Sequence, residues 1–297
     1  MKNLFLILFI FSATILTGCN REHIDDGVHD IVVFFTTEGI ALKSTATPEE
    51  KDIMEVILFG VDGDGNFIQH YLVTQSQLSA PEDIVLTKVS RKVKTFYAIA
   101  NPSVDMKEAV TNSELNATYL NSMTNNFSTH PSSPFLMSGT ENIKNYSVHI
   151  DFVRTVARVE ITALNELEII TVTVENTPNT GYVFTQSPFS IPSSTRVAYE
   201  NINPISPSHA RIYIAENIAA NPAKITLSGE FEGLPVSYSF FLKQNDKDID
   251  IVRNRNYKVE ITPALEGTGG FTINIPDWTD VDMGEIEIPD EELNQQP

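Results

Sequence analysis

Residues 62–66 of this 297-residue chain, Asp62-Gly63-Asp64-Gly65-Asn66, open like a calcium loop, with carboxylates at alternate positions. The pattern fails where an EF-hand needs it. The sixth position is Phe67 instead of Gly, and the twelfth is Val73 instead of a bidentate Glu. The same residues read as a hairpin turn, because Asp-Gly and Gly-Asn supply positive φ angles. His23, Asp25, Asp26, His29 and Asp30 form a dense His/Asp cluster. They lie in a polar stretch with no scaffold to hold ligands to the roughly 0.2 Å a metal site requires, so a solvated spacer is the preferred reading. His70, His130, His149 and His209 are scattered. The chain has no Gly-x-Ser-x-Gly elbow, His-Glu-x-x-His helix or Gly-rich phosphate loop. Its carboxylates single out no acid/base couple. Arg154 and Arg158, four apart on one expected strand, would share a face about 13 Å apart; in so acidic a chain this reads as ion pairing across a domain junction. Trp278, the only Trp, is poor support for a sugar platform. No catalytic residue, cofactor or metal is expected, and the chain is not read as an enzyme.

The most chemically specific residue is Cys19, the only cysteine, which excludes an intrachain disulfide and a thiolate-rich metal site. Lys2 and the apolar run 4–16 precede it. The run is shorter than the roughly 20 residues of a membrane span and suits a signal-peptide core. Leu16-Thr17-Gly18-Cys19 resembles a bacterial lipobox, in which cleavage after Gly18 leaves Cys19 as a lipidated N-terminus. The alternative is an ordinary signal peptide that contains a Cys. Residues 1–18 are thus expected to be a signal peptide and 19–30 a lipidated tether, with the protein exported to the outer membrane. With 20 Lys+Arg against 39 Asp+Glu and a formal net charge of −19, the chain has no basis for gripping a nucleic-acid backbone.

Hydrophobic residues at 41% and charged residues at 20% fit a folded protein. Beyond the tether, period-two alternation and β-branched runs between turn residues predict an all-β protein. Strands are expected at 31–35, 55–61, 67–73, 84–89, 94–100 and 148–153. A second series follows at 156–163, 169–174, 182–185, 211–215, 224–231, 236–242, 256–262, 271–275 and 285–288. Two tandem β-sandwich domains follow, 31–153 and 154–297, joined near 151–158. One or two short helices are expected in the first: a one-turn helix opening at Thr47-Pro48-Glu49-Glu50, and another behind the capping box Thr111-Asn112-Ser113-Glu114. The Pro-, Asn- and Ser-rich stretch 176–207 reads as long surface loops.

Several stretches agree with one family. The lipobox, the apolar strand and the Thr/Ser-rich segment before Pro48-Glu49-Glu50 resemble the N-terminus of fimbrillins, the fimbrial subunit lipoproteins of Bacteroides-like bacteria. Tyr97-Ala98-Ile99-Ala100-Asn101-Pro102 is similar to the strand before their helical excursion. Met137-Ser138-Gly139 and Arg154-Thr155-Val156-Ala157-Arg158-Val159 are similar to their domain junction. Arg253-Asn254-Arg255-Asn256-Tyr257-Lys258-Val259 and Ile275-Pro276-Asp277-Trp278 resemble their final strand motifs. The resemblance implies transthyretin-like sandwiches and a structural or adhesive role in surface fimbriae. It also implies cleavage of the N-terminal segment, here between Lys43 and Ser44, where the family usually carries Arg. The emptied groove would then accept a strand from the next subunit.

The residues suit that logic. Ile31, Val32, Val33, Phe34 and Phe35 are consecutive large apolar residues, as in a strand covered on both faces. Removing it would leave unpaired backbone that another strand must fill. Glu285-Ile286-Glu287-Ile288 alternates cleanly, so Ile286 and Ile288 mark either a donor strand or the last strand of the second domain. The expected partners are other fimbrial subunits, the outer membrane through lipid, and a host or bacterial surface ligand. Two alternatives stand beside the polymerising subunit. One is an anchor that keeps its lipid; the other is a glycan-binding surface lipoprotein using aromatics around Tyr182 and Phe184.

Overall fold

The structure, a computed structural model, describes residues 27–37, 48–244, 247–263 and 270–274. In the first half the strands are β1 (Val28–Thr37), β2 (Glu55–Val61), β3 (Phe67–Thr74), β4 (Ile84–Ser90), β5 (Thr95–Ala100), β6 (Thr124–Asn126), β7 (Met137–Asn142) and β8 (Ser147–Arg154). Helices α1 (Pro48–Lys51), α2 (Gln75–Leu78), α3 (Val104–Glu108) and α4 (Ala117–Ser122) are all short. The second half continues with β9 (Val156–Ala163), β10 (Glu168–Pro178), β11 (Thr180–Tyr182), β12 (Arg196–Ile202), β13 (His209–Ala215), β14 (Lys224–Phe231) and β15 (Leu234–Phe241). The two-residue strands β16 (Lys243–Gln244) and β17 (Lys247–Asp248) precede β18 (Asn256–Thr262) and β19 (Gly270–Asn274).

The first half is one sheet in the order β3-β2-β5-β7-β8-β1-β4. It folds over itself at the corner between β7 and β8, which pair only at Met137↔Arg154 and Ser138↔Val153. That corner needs a close approach. A Cβ on Gly139 would sit 2.5 Å from the Asp151 carbonyl oxygen. The two free edges, β3 and β4, meet through side chains: the Tyr71 hydroxyl donates to Thr87 O at 3.1 Å, and Ser90 N–H donates to Gln69 Oε1 at 2.9 Å. The result is nearly a barrel.

β2 is buried on both faces. Val56 and Leu58 face the inside of the sheet with Phe96, Ala98 and Val148. Ile57, Phe59 and Val61 face outward, where α3 and α4 cover them with Met106 and Leu120. The helix behind the expected capping box starts later than the sequence indicates. Thr111 ends a 3₁₀ turn, and Asn116 caps α4 by accepting from Tyr119 N–H at 2.9 Å. The Asp62–Asn66 stretch is the expected hairpin turn: Asp62 Oδ1 accepts from Asp64 N–H and Asn66 N–H at 2.9 Å each, and Gly65 takes φ +84°.

The second half packs sheet β12-β10-β14-β15 against sheet β13-β9-β18-β19. Val159, Ile161, Val172, Val174, Ile212, Ile225, Leu227 and Val259 lie between the layers. Part of the stretch read as loops is strand: β12 pairs with β10 through a register broken twice by bulges, and β11 pairs with β6 of the first half.

Candidate functional site

Two places concentrate the residues singled out by sequence: the slot that holds β1, and the junction between the halves.

β1 is an interior strand. It runs antiparallel to β4 (Ile31↔Leu86, Val33↔Ile84) and parallel to β8 (Val33↔Val148, Phe35↔Ile150). Alternation divides its side chains between two faces. Ile31 and Val33 are buried in the sheet interior, and Phe35 packs beside them against Phe152. Val32 and Phe34 point outward and are half-buried. The apolar run is therefore buried on one face, not both. Among the described residues, Phe34 stacks on His149 of the same sheet. β1 starts at Val28, so His29 and Asp30 lie within the strand. Asp30 Oδ1 accepts from Lys88 N–H at 3.2 Å across a bulge, and His29 meets the edge of the Tyr146 ring. Among the described residues, no group of three or more His, Cys, Asp or Glu side chains converges as a metal site. Gly18, Cys19, Lys43, Ser44, Ile286, Ile288 and Trp278 lie outside the described residues.

At the junction, β9 explains the second cluster. Its odd residues Ala157, Val159 and Ile161 enter the sandwich core, so Arg158 and Glu160 must face the other way. α1 covers that side and lowers Glu50 onto it. Arg158 Nη1 donates to Glu50 Oε2 at 2.8 Å and Oε1 at 3.0 Å, and both side chains are about as deeply buried. The Tyr213 hydroxyl donates to Glu50 Oε1 at 2.7 Å. Arg158 Nε donates to Asn256 Oδ1 at 3.1 Å, and Glu160 accepts from Asn256 and Arg211, each at 3.1 Å. Arg154 is not on the same strand as Arg158. It closes β8, and Thr155 separates it from β9. It donates from Nε to the Glu50 carbonyl at 2.9 Å and from Nη1 to Asn254 Oδ1 at 3.0 Å. Burial, aided by Arg158, brings the Arg154 guanidinium down to about 10, which leaves it charged at neutral pH. Burial and the bond to Glu50 hold the Tyr213 phenol above its ordinary range, so it stays a donor.

Sequence pattern pointed to the two arginines and to Arg253–Val259, but not to Glu50 as their acceptor or to Tyr213. Glu50 was visible only as the third helical residue of a capping signal. A third buried cation, Arg253, joins Glu216 Oε2 at 2.6 Å and the carbonyls of Val183 and Tyr182 at 2.7 and 2.6 Å. Arg253 and residues 182–183 all belong to the second half, so these bonds brace that segment on its own half. What ties it to the first is Ser138 Oγ donating to Val183 O at 2.6 Å and Val183 N–H donating to Met123 O at 2.8 Å, and there Val183 and Phe184 complete the layer beside α3 and α4. Phe184 is thus buried and offers no face to a sugar ring.

The exchange is reciprocal. Residues 127–135 of the first half dock on β12 and β13, with Phe127 and Phe135 packed beside Val156 and Ala215. The Tyr199 hydroxyl donates to Phe127 O at 2.7 Å, and His130 Nε2 accepts from Tyr213 N–H at 3.1 Å. Burial brings His130 down to about 4 from 6.5. In that range the unfolded chain takes a proton that the fold refuses, so stability drops as pH falls from about 6.5 to 4, by about 3 kcal/mol in all. Urea midpoints of His130→Gln should decline less steeply than wild type across that window; parallel declines would show that His130 is not the cause.

A protein-family model described as fimbrillin-A associated anchor proteins Mfa1 and Mfa2 matches residues 29–284. The chain belongs to this family. No curated protein matches it. Among solved structures it is similar to a fimbrial assembly protein from Parabacteroides distasonis: 15% identity, TM-score 0.63, covering 87% of this chain and 100% of that one. It is also similar to the tip fimbrial protein Mfa3 from Porphyromonas gingivalis with C-terminal truncation: 12% identity, TM-score 0.62, covering 84% and 100%. At these identities the likeness speaks for the fold alone. Family membership makes the chain a cell-surface fimbrial component, from a family of structural and anchor proteins rather than enzymes, that associates with other fimbrial subunits.

Proposed function

We propose that this family member is exported as a lipoprotein through Cys19 and built into surface fimbriae by strand exchange. In this reading the first half (31–153) and second half (154–297) are the two domains of one subunit. Cleavage between Lys43 and Ser44 frees the segment that carries β1, and a strand of the neighbouring subunit takes its place. Ile286 and Ile288 are the donor positions that this chain offers to another subunit.

The observation that carries this reading is the position of β1. It lies between two strands, with Ile31 and Val33 in the core, and the chain runs from it to the next described residues, at α1, through residues 38–47, which include Lys43. Ile31 and Val33, both buried, supply about 3–6 kcal/mol of burial, to which half-buried Phe35 adds, so an emptied slot favours another occupant. α1 begins at Pro48, beyond the cut, so Glu50 keeps its junction bonds afterwards.

N-terminal sequencing of sheared filaments tests this reading. It expects a start at Ser44, and intact Cys19 throughout the filament fraction would overturn it.

The family's description as anchor proteins, together with Lys43 where Arg is usual, favours one second reading: a subunit that stays uncut and lipidated at the filament base. That reading expects Cys19 at the N-terminus and a single copy per filament.

A further inference from the structure

The inward side of the β1 slot asks only for apolar residues at alternate positions, which almost any amphipathic strand provides. The outward side is more particular. In the parallel register Phe34 sits opposite His149 and Thr36 opposite Asp151. The Phe34 and His149 rings stack with centroids 4.4 Å apart and planes within 17°. The Thr36 hydroxyl donates to Asp151 Oδ1. On the other flank Glu82 and Asp83, both exposed, lead into β4 at the Val33↔Ile84 pair. The end of the slot that receives positions 34–36 is therefore bordered by carboxylates on both sides.

Resting on the reading of β1 as a replaceable strand, we infer that His149 and Asp151 decide which strand this slot accepts. The occupant is a strand of a different subunit that runs parallel to β8. It carries an aromatic residue facing His149 and a hydroxyl residue, two positions on, facing Asp151. A second copy of this chain is a poor donor. Threading Glu285-Ile286-Glu287-Ile288 with its isoleucines inward turns Glu285 and Glu287 outward. Seating Ile286 and Ile288 at the places of Val33 and Phe35 puts Glu287 opposite His149, where it forfeits the stack and neighbours Asp151 two residues along β8, and puts Pro289, which has no hydroxyl, opposite Asp151. Like charges neighbouring one another in a sheet repel. The slot thereby favours mixed over self assembly.

The unlipidated chain starting at Cys19, labelled on the Cys19 thiol and nicked between Lys43 and Ser44, tests this. Release of the labelled segment is followed by fluorescence polarisation as competitor peptides are added. A peptide of residues 28–37 should displace it, and its Phe34→Ala and Thr36→Val forms should compete about threefold to tenfold less well. The deficit of the first should vanish on the His149→Ala chain and that of the second on Asp151→Ala. Both substituted residues are exposed, so the variants keep the fold. A peptide of residues 283–290 should compete at least about tenfold less well than 28–37, and recover when both Glu become Gln. Equal competition by wild-type and Phe34→Ala peptides, or by the acidic peptide, overturns the selectivity. Failure of every peptide, including 28–37 itself, overturns instead the replaceable-strand reading.

Discussion

Replacing Glu50 by alanine is expected to lower the free energy of unfolding by about 3–5 kcal/mol, the usual penalty for stripping one partner from a buried ion pair. Glu50 and Arg158 are almost wholly excluded from water, and the carboxylate accepts from two residues that belong to the other half of the chain. Its loss leaves the Arg158 guanidinium buried beside Arg154, with the Glu160 carboxylate 3.7 Å away. Two companions separate the contributions. Tyr213→Phe removes one charge-assisted hydrogen bond and should cost about 1.5–3 kcal/mol. Glu50→Ala combined with Arg158→Met should recover part of the loss, because no unpaired charge is then left inside. Denaturant midpoints measure all three, and separate transitions for the two halves in Glu50→Ala would show that the pair couples them. A loss below about 1 kcal/mol for Glu50→Ala would mean that the carboxylate is not the keystone of the junction.

The second large effect concerns β1. Ile31→Ala is expected to destabilise by about 2–5 kcal/mol, since Ile31 has no exposed surface and its neighbours Leu86, Val148 and Ile150 are held by three paired strands. Val32→Ala, one residue along and on the outward face, should cost about 1 kcal/mol or less. The contrast is the test. If both substitutions cost the same, the strand is not seated as its register requires. Hydrogen exchange adds a second measure, because among the described residues β4 pairs only with β1. Weakening β1 should release the β4 amides that bond across to it before those of β2 or β5.

Strands with strong alternation were legible without coordinates: β2, β9, β14 and β18 begin and end where the sequence places them. Each packs a regular apolar series into a core, and that series is the signal. β6, β7 and β12 were not legible. β6 is Thr-Asn-Asn, β7 buries only its first two residues, and β12 is a bulged edge strand with Tyr199 alone deeply buried. These strands are held by backbone pairing, which leaves no hydrophobic period behind. The same limit explains the apolar run 31–35. Five large residues in a row suggest cover on both faces, but Val32 and Phe34 are only half-buried, and Phe34 stacks on His149 of its own sheet.

Local chemistry settled what needed only neighbouring residues: the alternation that makes the chain β, the Asp-Gly turn at 62–66, and the one-turn helix opening at Pro48. Whatever joins residues a hundred positions apart waited for the tertiary structure. No spacing rule announces that Glu50 meets Arg158, that β1 slides between β4 and β8, or that Val183 and Phe184 leave their own half to seal the other. Such pairings follow from which faces are left uncovered once the sheets have formed, and from the need of every buried charge for a partner.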